Sequence, residues 1–239
     1  MERRVLIIKG FSKNELELKN DCAIIKLYSD YFSSKAGGCY DTSNEIIILE
    51  EPTTEEIKKL ESEFANLEFL IVVLLGHGAN KDGKQIFWLA EDTYIYPGQI
   101  IFETKKQLFI IESCRDLIDF EIEVSDISSM IPKFRYGGVI NRPKTVAEAK
   151  KAYNDALTKC KEDITYLFAS SIDESAKGYY FIHTLIKASV FYHEQTQRKI
   201  YTTKQVFEQV QKAVQQLTNS EQNPIMEGKG EFPFVLSII

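Results

Sequence analysis

Two residues that could carry out nucleophilic chemistry each follow an apolar run of the chain. Cys114 stands two residues after the end of residues 108–112, and His77 stands between two glycines directly after Phe69–Leu75. A thiol becomes a strong nucleophile only as the thiolate, and an adjacent imidazole favours that form. If the two runs are parallel neighbouring strands, both side chains emerge at the same edge of a sheet, where ligands of open α/β sheets collect. The spacing therefore predicts a nucleophile, Cys114, assisted by an acid–base residue, His77.

Each of these residues also has an ordinary structural interpretation. Free cysteines are mostly core residues, and an isolated histidine such as His77 is more often a loop residue than a catalytic one. We favour the catalytic interpretation because both residues lie at strand exits and can form a pair. Cys22, Cys39 and Cys160 are interpreted as structural.

The elements that must position this pair alternate between strands and helices. Such alternation predicts a mostly parallel sheet with right-handed crossovers. The capping boxes Thr53-x-x-Glu56 and Thr145-x-x-Glu148 predict two helix starts, and Asn20 or Asp21 is predicted as the N-cap of an earlier helix. Residues 10–19 and 224–230 are predicted to be connections. The predicted strands are 5–9, 45–50, Phe69–Leu75, 108–112, 165–171 and 232–239, a hairpin is predicted over 85–96, and the further helices are 20–35, 179–193 and Thr203–Leu217.

The composition of the chain argues against several classes of function. The net charge of −6 and a pI of about 5.3 argue against a nucleic-acid surface. No apolar run approaches the ~20 residues of a membrane span, and the first residues do not resemble a signal peptide. Four cysteines without paired spacing favour a reducing, cytoplasmic location, and three histidines without H-x-x-x-H argue against zinc.

The sequence motifs around His77 and Cys114 resemble those of a known family. Glu112-Ser113-Cys114-Arg115-Asp116 together with Gly76-His77-Gly78 is similar to caspase-like cysteine peptidases, which include caspases, metacaspases and prokaryotic relatives. The resemblance implies an α/β, three-layer sandwich with a mostly parallel six-stranded sheet and helices on both faces. It also implies one domain over 1–239, with a large-subunit-like half (1–115), a linker-like insertion (116–162) and a small-subunit-like half (163–239). A helix inside the linker-like insertion departs from the caspase pattern.

The resemblance also implies a mechanism of acyl transfer. Cys114 would attack the peptide carbonyl, the N–H groups of Gly78 and Cys114 would form the oxyanion hole, and His77 would protonate the leaving amine. No third member of a catalytic triad is evident in the sequence.

The substrate pocket is predicted to hold a cation. Glu112 replaces the neutral glutamine of caspases, and Asp173 lies near the pocket in the geometry of the family. Two carboxylates match a guanidinium group, which predicts cleavage after arginine and then lysine. The alternative is that both are solvated surface acids.

The expected partners are protein or peptide substrates, together with an activating protease or regulatory partner, and the chain is expected to be a monomer or homodimer. No cofactor is expected, although calcium could bind the acidic stretch 119–126, for which a solvated loop is the favoured interpretation. A regulated protease in signalling, cell death or defence is the first hypothesis. An inactive caspase-like scaffold is the second, and a non-peptidase α/β hydrolase or ligand sensor is the third.

Overall fold

The apolar runs form the centre of a six-stranded sheet. The computed structural model describes residues 1–114, 145–177, 179–194 and 199–237. Its strands are β1 (Arg3–Lys9), β2 (Ile46–Glu50), β3 (Phe69–Leu75), β7 (Lys106–Glu112), β8 (Asp163–Phe168) and β10 (Ile225–Glu227). The strand order is β10-β8-β7-β3-β1-β2, and every neighbouring pair is parallel except β10 with β8. This confirms the predicted mostly parallel sheet.

Helices cover both faces of this sheet, because its central strands alternate their apolar side chains between two cores. The helices are α1 (Glu15–Ser33), α2 (Thr54–Phe64), α3 (Val146–Lys159), α4 (Tyr180–His193) and α5 (Thr203–Leu217). Val5 and Ile7 face a core shared with α1, α3, α4 and α5, whereas Leu6 and Ile8 face a core shared with α2 and a small antiparallel sheet. The small sheet consists of β4 (Gly78–Lys81), β5 (Lys84–Ala90) and β6 (Thr93–Ile95). None of the helices in the described part of the chain is long and apolar enough to span a membrane.

The first helix begins earlier than predicted. Its N-cap is Asn14, whose side chain accepts a hydrogen bond from the backbone N–H of Glu17 at 3.0 Å. The prediction of Asn20 or Asp21 as the cap was wrong, since both lie inside the helix on its buried side. The earlier start places Glu17 and Asp21 one helical turn apart, and both are buried.

The helix predicted inside the linker-like insertion is confirmed as α3, and it is packed into the fold. The hydroxyl of Tyr153 donates to the carbonyl oxygen of Pro233 at 2.6 Å, and Lys150 forms an ion pair with Glu45 at 2.6 Å. The guanidinium of Arg3, in the first strand, lies 5.2 Å from the centre of the Tyr153 ring. Thus α3 links the first strand and the C-terminal segment, while residues 116–144 of the insertion lie outside the described residues.

The C-terminal region contains two strands that were not predicted. Residues 225–227, predicted to belong to a connection, form β10 and complete the six-stranded sheet. The other is β9 (Lys199–Thr202), which pairs with the final strand, β11 (Pro233–Ser237), in a separate two-stranded sheet.

Candidate active site

His77 and Cys114 lie at the same edge of the central sheet. Strands β3 and β7 are parallel neighbours, and their register pairs Leu75 with Glu112. Each candidate residue stands two positions beyond its member of that pair. The N–H of Gly76 donates to the carbonyl oxygen of Glu112 at 3.3 Å, so the backbones remain adjacent past the last paired residues. The predicted juxtaposition of the two strand exits is confirmed.

The glycines on either side of His77 allow the close approach of these backbones. Gly76 has φ +144°, a conformation that side-chain-bearing residues rarely adopt. A Cβ atom at Gly78 would lie 2.7 Å from the carbonyl oxygen of Cys114 and 2.6 Å from the Oγ of Ser113. Gly78 and Cys114 are therefore neighbours, as a shared oxyanion hole requires, and their role in one stays a prediction.

The small sheet is hydrogen-bonded to the residues that follow β7, which include Cys114. The side-chain amide of Gln85, in β5, donates to the Oγ of Ser113 at 2.7 Å and to the carbonyl oxygen of Cys114 at 3.5 Å. Ser113, the residue before Cys114, is thus hydrogen-bonded to the small sheet.

The segment that follows β8 covers the Cys114 thiol. The backbone N–H of Ala176 donates to the Sγ of Cys114 at 3.3 Å, and the carbonyl oxygen of Ala176 lies 3.9 Å from the same sulfur. Cys114 is only 9% exposed. The backbone of Ala176 therefore lies directly against the thiol.

His77 pairs with a residue that the sequence analysis did not identify. Its Nε2 lies 3.0 Å from the Oε2 of Glu17, and the two side chains are 16% and 8% exposed. The available signal was Asn14-x-x-Glu17, because an N-cap residue followed three positions later by Glu marks a helix start. Here the Glu17 carboxylate reaches the N–H of Lys13 and the His77 ring.

Two further buried carboxyl groups lie close to this pair. Asp21 accepts hydrogen bonds from the Ser12 hydroxyl at 2.8 Å and the Tyr179 hydroxyl at 2.9 Å, and burial raises the pKa of Asp21. Burial, followed by the negative charges of Asp21, Glu17 and Glu112, raises the pKa of Tyr179. Asp21 is thus hydrogen-bonded to this hydroxyl, whereas Glu17 and Glu112 act on it through their charges; we call Glu17, Asp21 and Glu112 the acidic cluster.

The two acids predicted to form the substrate pocket have different surroundings. Glu112 is 5% exposed, accepts a hydrogen bond from the backbone of Ile182 in the first turn of α4, and has one oxygen without a hydrogen-bond partner among the described residues. Asp173 is exposed, has φ +63°, and accepts a hydrogen bond from the Asn80 side chain at 2.7 Å. The described hydrogen bonds join Glu112 to α4 and Asp173 to β4, and they do not bring the two acids together. Arg115 and the stretch 119–126, considered for calcium, lie outside the described residues.

Burial makes the charge of Glu112 unfavourable and predicts a measurable pH effect on stability. Desolvation raises the pKa of Glu112 from 4.5 to about 8. Between those values the unfolded chain releases a proton that the folded chain retains, so the free energy of unfolding falls as pH rises, by about 1.4 kcal/mol per unit. We expect Glu112→Gln to keep the Ile182 hydrogen bond and to raise the free energy of unfolding by about 3 kcal/mol at pH 7.

Urea unfolding at pH 4.5, 6 and 7.5 measures this effect. The stabilisation by Glu112→Gln should be close to zero at pH 4.5 and increase with pH, whereas Glu63→Gln, at an exposed position, should change little throughout. A pH-independent difference would contradict a buried, neutral Glu112.

Comparison with known proteins assigns the family. The caspase domain family model matches residues 3–232. Among solved structures, caspase-1 from Spodoptera frugiperda is similar with a TM-score of 0.52 and 11% identity, covering 98% of this chain and 88% of that one. The Drosophila initiator caspase Dronc has a TM-score of 0.52 and 10% identity, covering 99% of this chain and 82% of that one. A search of curated proteins found no match. The structural likenesses show the fold, and the family match over nearly the whole length shows that the chain belongs to the caspase-domain family of cysteine peptidases.

Proposed function

We propose that this protein is a regulated cysteine endopeptidase that cleaves protein substrates after arginine and, less efficiently, after lysine. The observation that carries the proposal is the parallel register of β3 and β7, which brings His77 and Cys114 to one sheet edge beside three buried carboxyl groups. The first feature supports acyl transfer, and the second supports a basic substrate.

The proposed reaction has two steps. The Cys114 thiol gives its proton to His77, and the thiolate attacks the scissile carbonyl to form a tetrahedral intermediate. As the C–N bond breaks, the proton on His77 passes to the leaving amine and a thioester remains on Cys114. His77 then takes a proton from water, and the resulting hydroxide attacks the thioester carbonyl. The C–S bond breaks to release the acid product, and the proton on His77 returns to the Cys114 sulfur. The N–H groups of Gly78 and Cys114 would bind the oxyanion, where one such donor is worth about 3 kcal/mol.

The acidic cluster supports a basic residue before the scissile bond. Within the described part of the chain, neither Asp21 nor Glu112 pairs with a lysine or arginine side chain, and both are buried. A guanidinium group could satisfy two carboxylates with several hydrogen bonds, whereas an aspartate substrate would add like-charge repulsion. The Tyr179 hydroxyl, bonded to Asp21, would have to exchange its partner when such a group enters.

The contact between Ala176 and the thiol indicates a latent form. It also fits a second function, that of an inactive scaffold, in which this contact would be permanent. A peptide probe with a thiol-reactive group after arginine separates the two functions. We expect it to label Cys114 in wild type and to fail with Cys114→Ala; failure to label wild type, before and after limited proteolysis, would favour the scaffold.

We further propose that cleavage in the linker-like insertion activates the chain, and that the enzyme makes this cut itself after a basic residue. The packing of α3 argues against a cut in the helical part, where Lys150 pairs with Glu45 and Lys151 pairs with Asp155. We therefore expect the cut before Thr145. The basic residues there are outside the described residues: Lys133, Arg135, Arg142 and Lys144.

Mass spectrometry of the active protein identifies the cut. Replacing these four residues together with glutamine should prevent both cleavage and activation, while Lys150→Gln with Lys151→Gln should leave the site of cutting unchanged. A fully active, uncut chain would rule out this mode of activation.

A further inference from the structure

The pairing of His77 with Glu17 defines which ring nitrogen can act on the thiol. The Oε2 atom of Glu17 accepts a hydrogen bond from the backbone N–H of Lys13 at 2.7 Å and lies 3.0 Å from the Nε2 of His77. A carboxylate can only accept, so this contact places the ring hydrogen on Nε2. In the neutral imidazole, Nδ1 is then the nitrogen that accepts a proton.

The backbone fixes Glu17 in this position. It lies in the first turn of α1, where the capping hydrogen bond from its own N–H to Asn14 sets the start of the helix. Its side chain is 8% exposed, and it contacts the ring of a residue 60 positions further along the chain. That ring is 16% exposed. A hydrogen bond to a charged group in such a shielded place is stronger than one in water.

We propose that Glu17 is the third member of a Cys–His–Glu catalytic arrangement, acting as a positioning residue that holds the His77 ring with Nδ1 available to Cys114. This inference rests on the proposed peptidase function. When the thiol proton moves to Nδ1, His77 becomes an imidazolium whose two N–H groups both need acceptors. Glu17 is the acceptor at Nε2, so the carboxylate stabilises the thiolate–imidazolium pair while the proton stays on His77.

The other charged groups near the pair have separate contacts. Asp21, one turn further along α1, bonds to Ser12 and Tyr179, and Glu112 accepts from the backbone of Ile182. Lys9 forms an ion pair with Glu51 at 2.7 Å. Asp21 and Glu112 thus have hydrogen bonds of their own, and the Glu17 carboxylate lies in hydrogen-bond contact with the His77 ring.

The test compares Glu17→Gln with Glu15→Gln. Both remove one negative charge from the first turn of α1, but Glu15 is exposed. We expect Glu17→Gln to lower kcat for an arginine peptide by roughly 10- to 100-fold with little change in KM, as the loss of a charge-assisted hydrogen bond predicts. Glu15→Gln should behave as wild type, and Glu17→Asp should recover part of the lost rate. Circular dichroism verifies that each variant is folded.

Alkylation of Cys114 by iodoacetamide gives a readout that does not require peptide cleavage. Without the Glu17 carboxylate the thiolate–imidazolium pair is less stable, so the pH midpoint of alkylation should move upward in Glu17→Gln. In a His77→Ala background the same substitution should have no further effect, because Glu17 acts through the ring.

The outcomes separate this inference from the proposed function. A shifted midpoint in a protein that cleaves no peptide, before or after limited proteolysis, would support the role of Glu17 and overturn the peptidase. Normal cleavage and an unshifted midpoint in Glu17→Gln would overturn the role of Glu17 alone. Faster cleavage by Glu17→Gln would also overturn it, since Glu17 would then be holding His77 away from the thiol.

Discussion

Replacing Cys114 with alanine should reduce peptide cleavage by at least about 10⁴-fold, and His77→Ala should have a similar effect. Cys114 would supply the attacking atom, and His77 would take and return the proton that the reaction moves. Because both act on one reaction coordinate, the double variant should be little slower than either single variant.

The measurement is kcat/KM on an arginine peptide, with circular dichroism and thermal unfolding to verify the fold. Cys22→Ala is the matched control, because Cys22 is an exposed free cysteine on α1, and it should retain full activity. Cleavage near the wild-type rate by Cys114→Ala would end the peptidase hypothesis. Losses that multiply in the double variant would show that the two residues do not act in one step.

The second large effect concerns substrate preference. We expect wild type to cleave after arginine best, lysine second, and aspartate poorly, and Glu112→Ala to lower kcat/KM for arginine peptides by roughly a hundredfold. That loss corresponds to about 3 kcal/mol, the usual cost of stranding one partner of a buried ion pair. Since burial raises the pKa of Glu112 to about 8, the free carboxyl group is mostly protonated at pH 7. The preference for arginine over alanine should therefore grow as pH rises from 7 to 9.

Matched arginine, lysine, aspartate and alanine peptides measure this preference in wild type and three variants. Glu112→Gln should lose less than Glu112→Ala, because the amide can still accept from a guanidinium. Asp173→Ala tests the other predicted acid, which the structure places on an exposed turn bonded to Asn80. If Glu112→Ala keeps the full arginine preference, Glu112 does not determine specificity. If only Asp173→Ala loses it, the pocket lies at that turn instead of at the acidic cluster.

The sheet edge could be predicted from sequence because buried parallel strands have a strong and simple pattern. Phe69–Leu75 is apolar throughout, lies between Glu68 and Gly76, and its predicted limits coincide with β3. Two short motifs directly follow β3 and β7, so the parallel pairing of these strands is enough to bring the motifs to the same edge. Local pattern and global topology agree at this point, which is where sequence reasoning works best.

Glu17 could not be found in the same way, since its role depends on where α1 begins. With the predicted helix start at Asn20, Glu17 belonged to a connection. The observed cap at Asn14 instead places Glu17 on the buried side of the first turn of α1. Asn20 is polar and stands before an apolar run, so it resembles a cap, yet it is 1% exposed inside the helix. Tertiary packing decided between two candidate caps of similar local propensity.

The strand β10 was missed for a related reason. It has three residues and is followed by Gly228 and Gly230, so its own sequence favours a turn. Its pairing with Leu167 and its neighbours in β8 makes it a strand. A strand this short is stabilised almost entirely by the partner to which it is hydrogen-bonded.

The packing of α3 has a consequence for a nicked protein. A cut within residues 115–144 would place β7 and β8 in different fragments. These strands nevertheless pair in parallel over six positions, from Lys106 with Asp163 to Ile111 with Phe168. The ring of Tyr153 would still lie beside Arg3, and the Tyr31 hydroxyl would still donate to Phe234 at 2.6 Å. The two fragments should therefore co-migrate as a non-covalent heterodimer on gel filtration. Refolding from urea would then become a second-order process, and the melting temperature would rise with protein concentration.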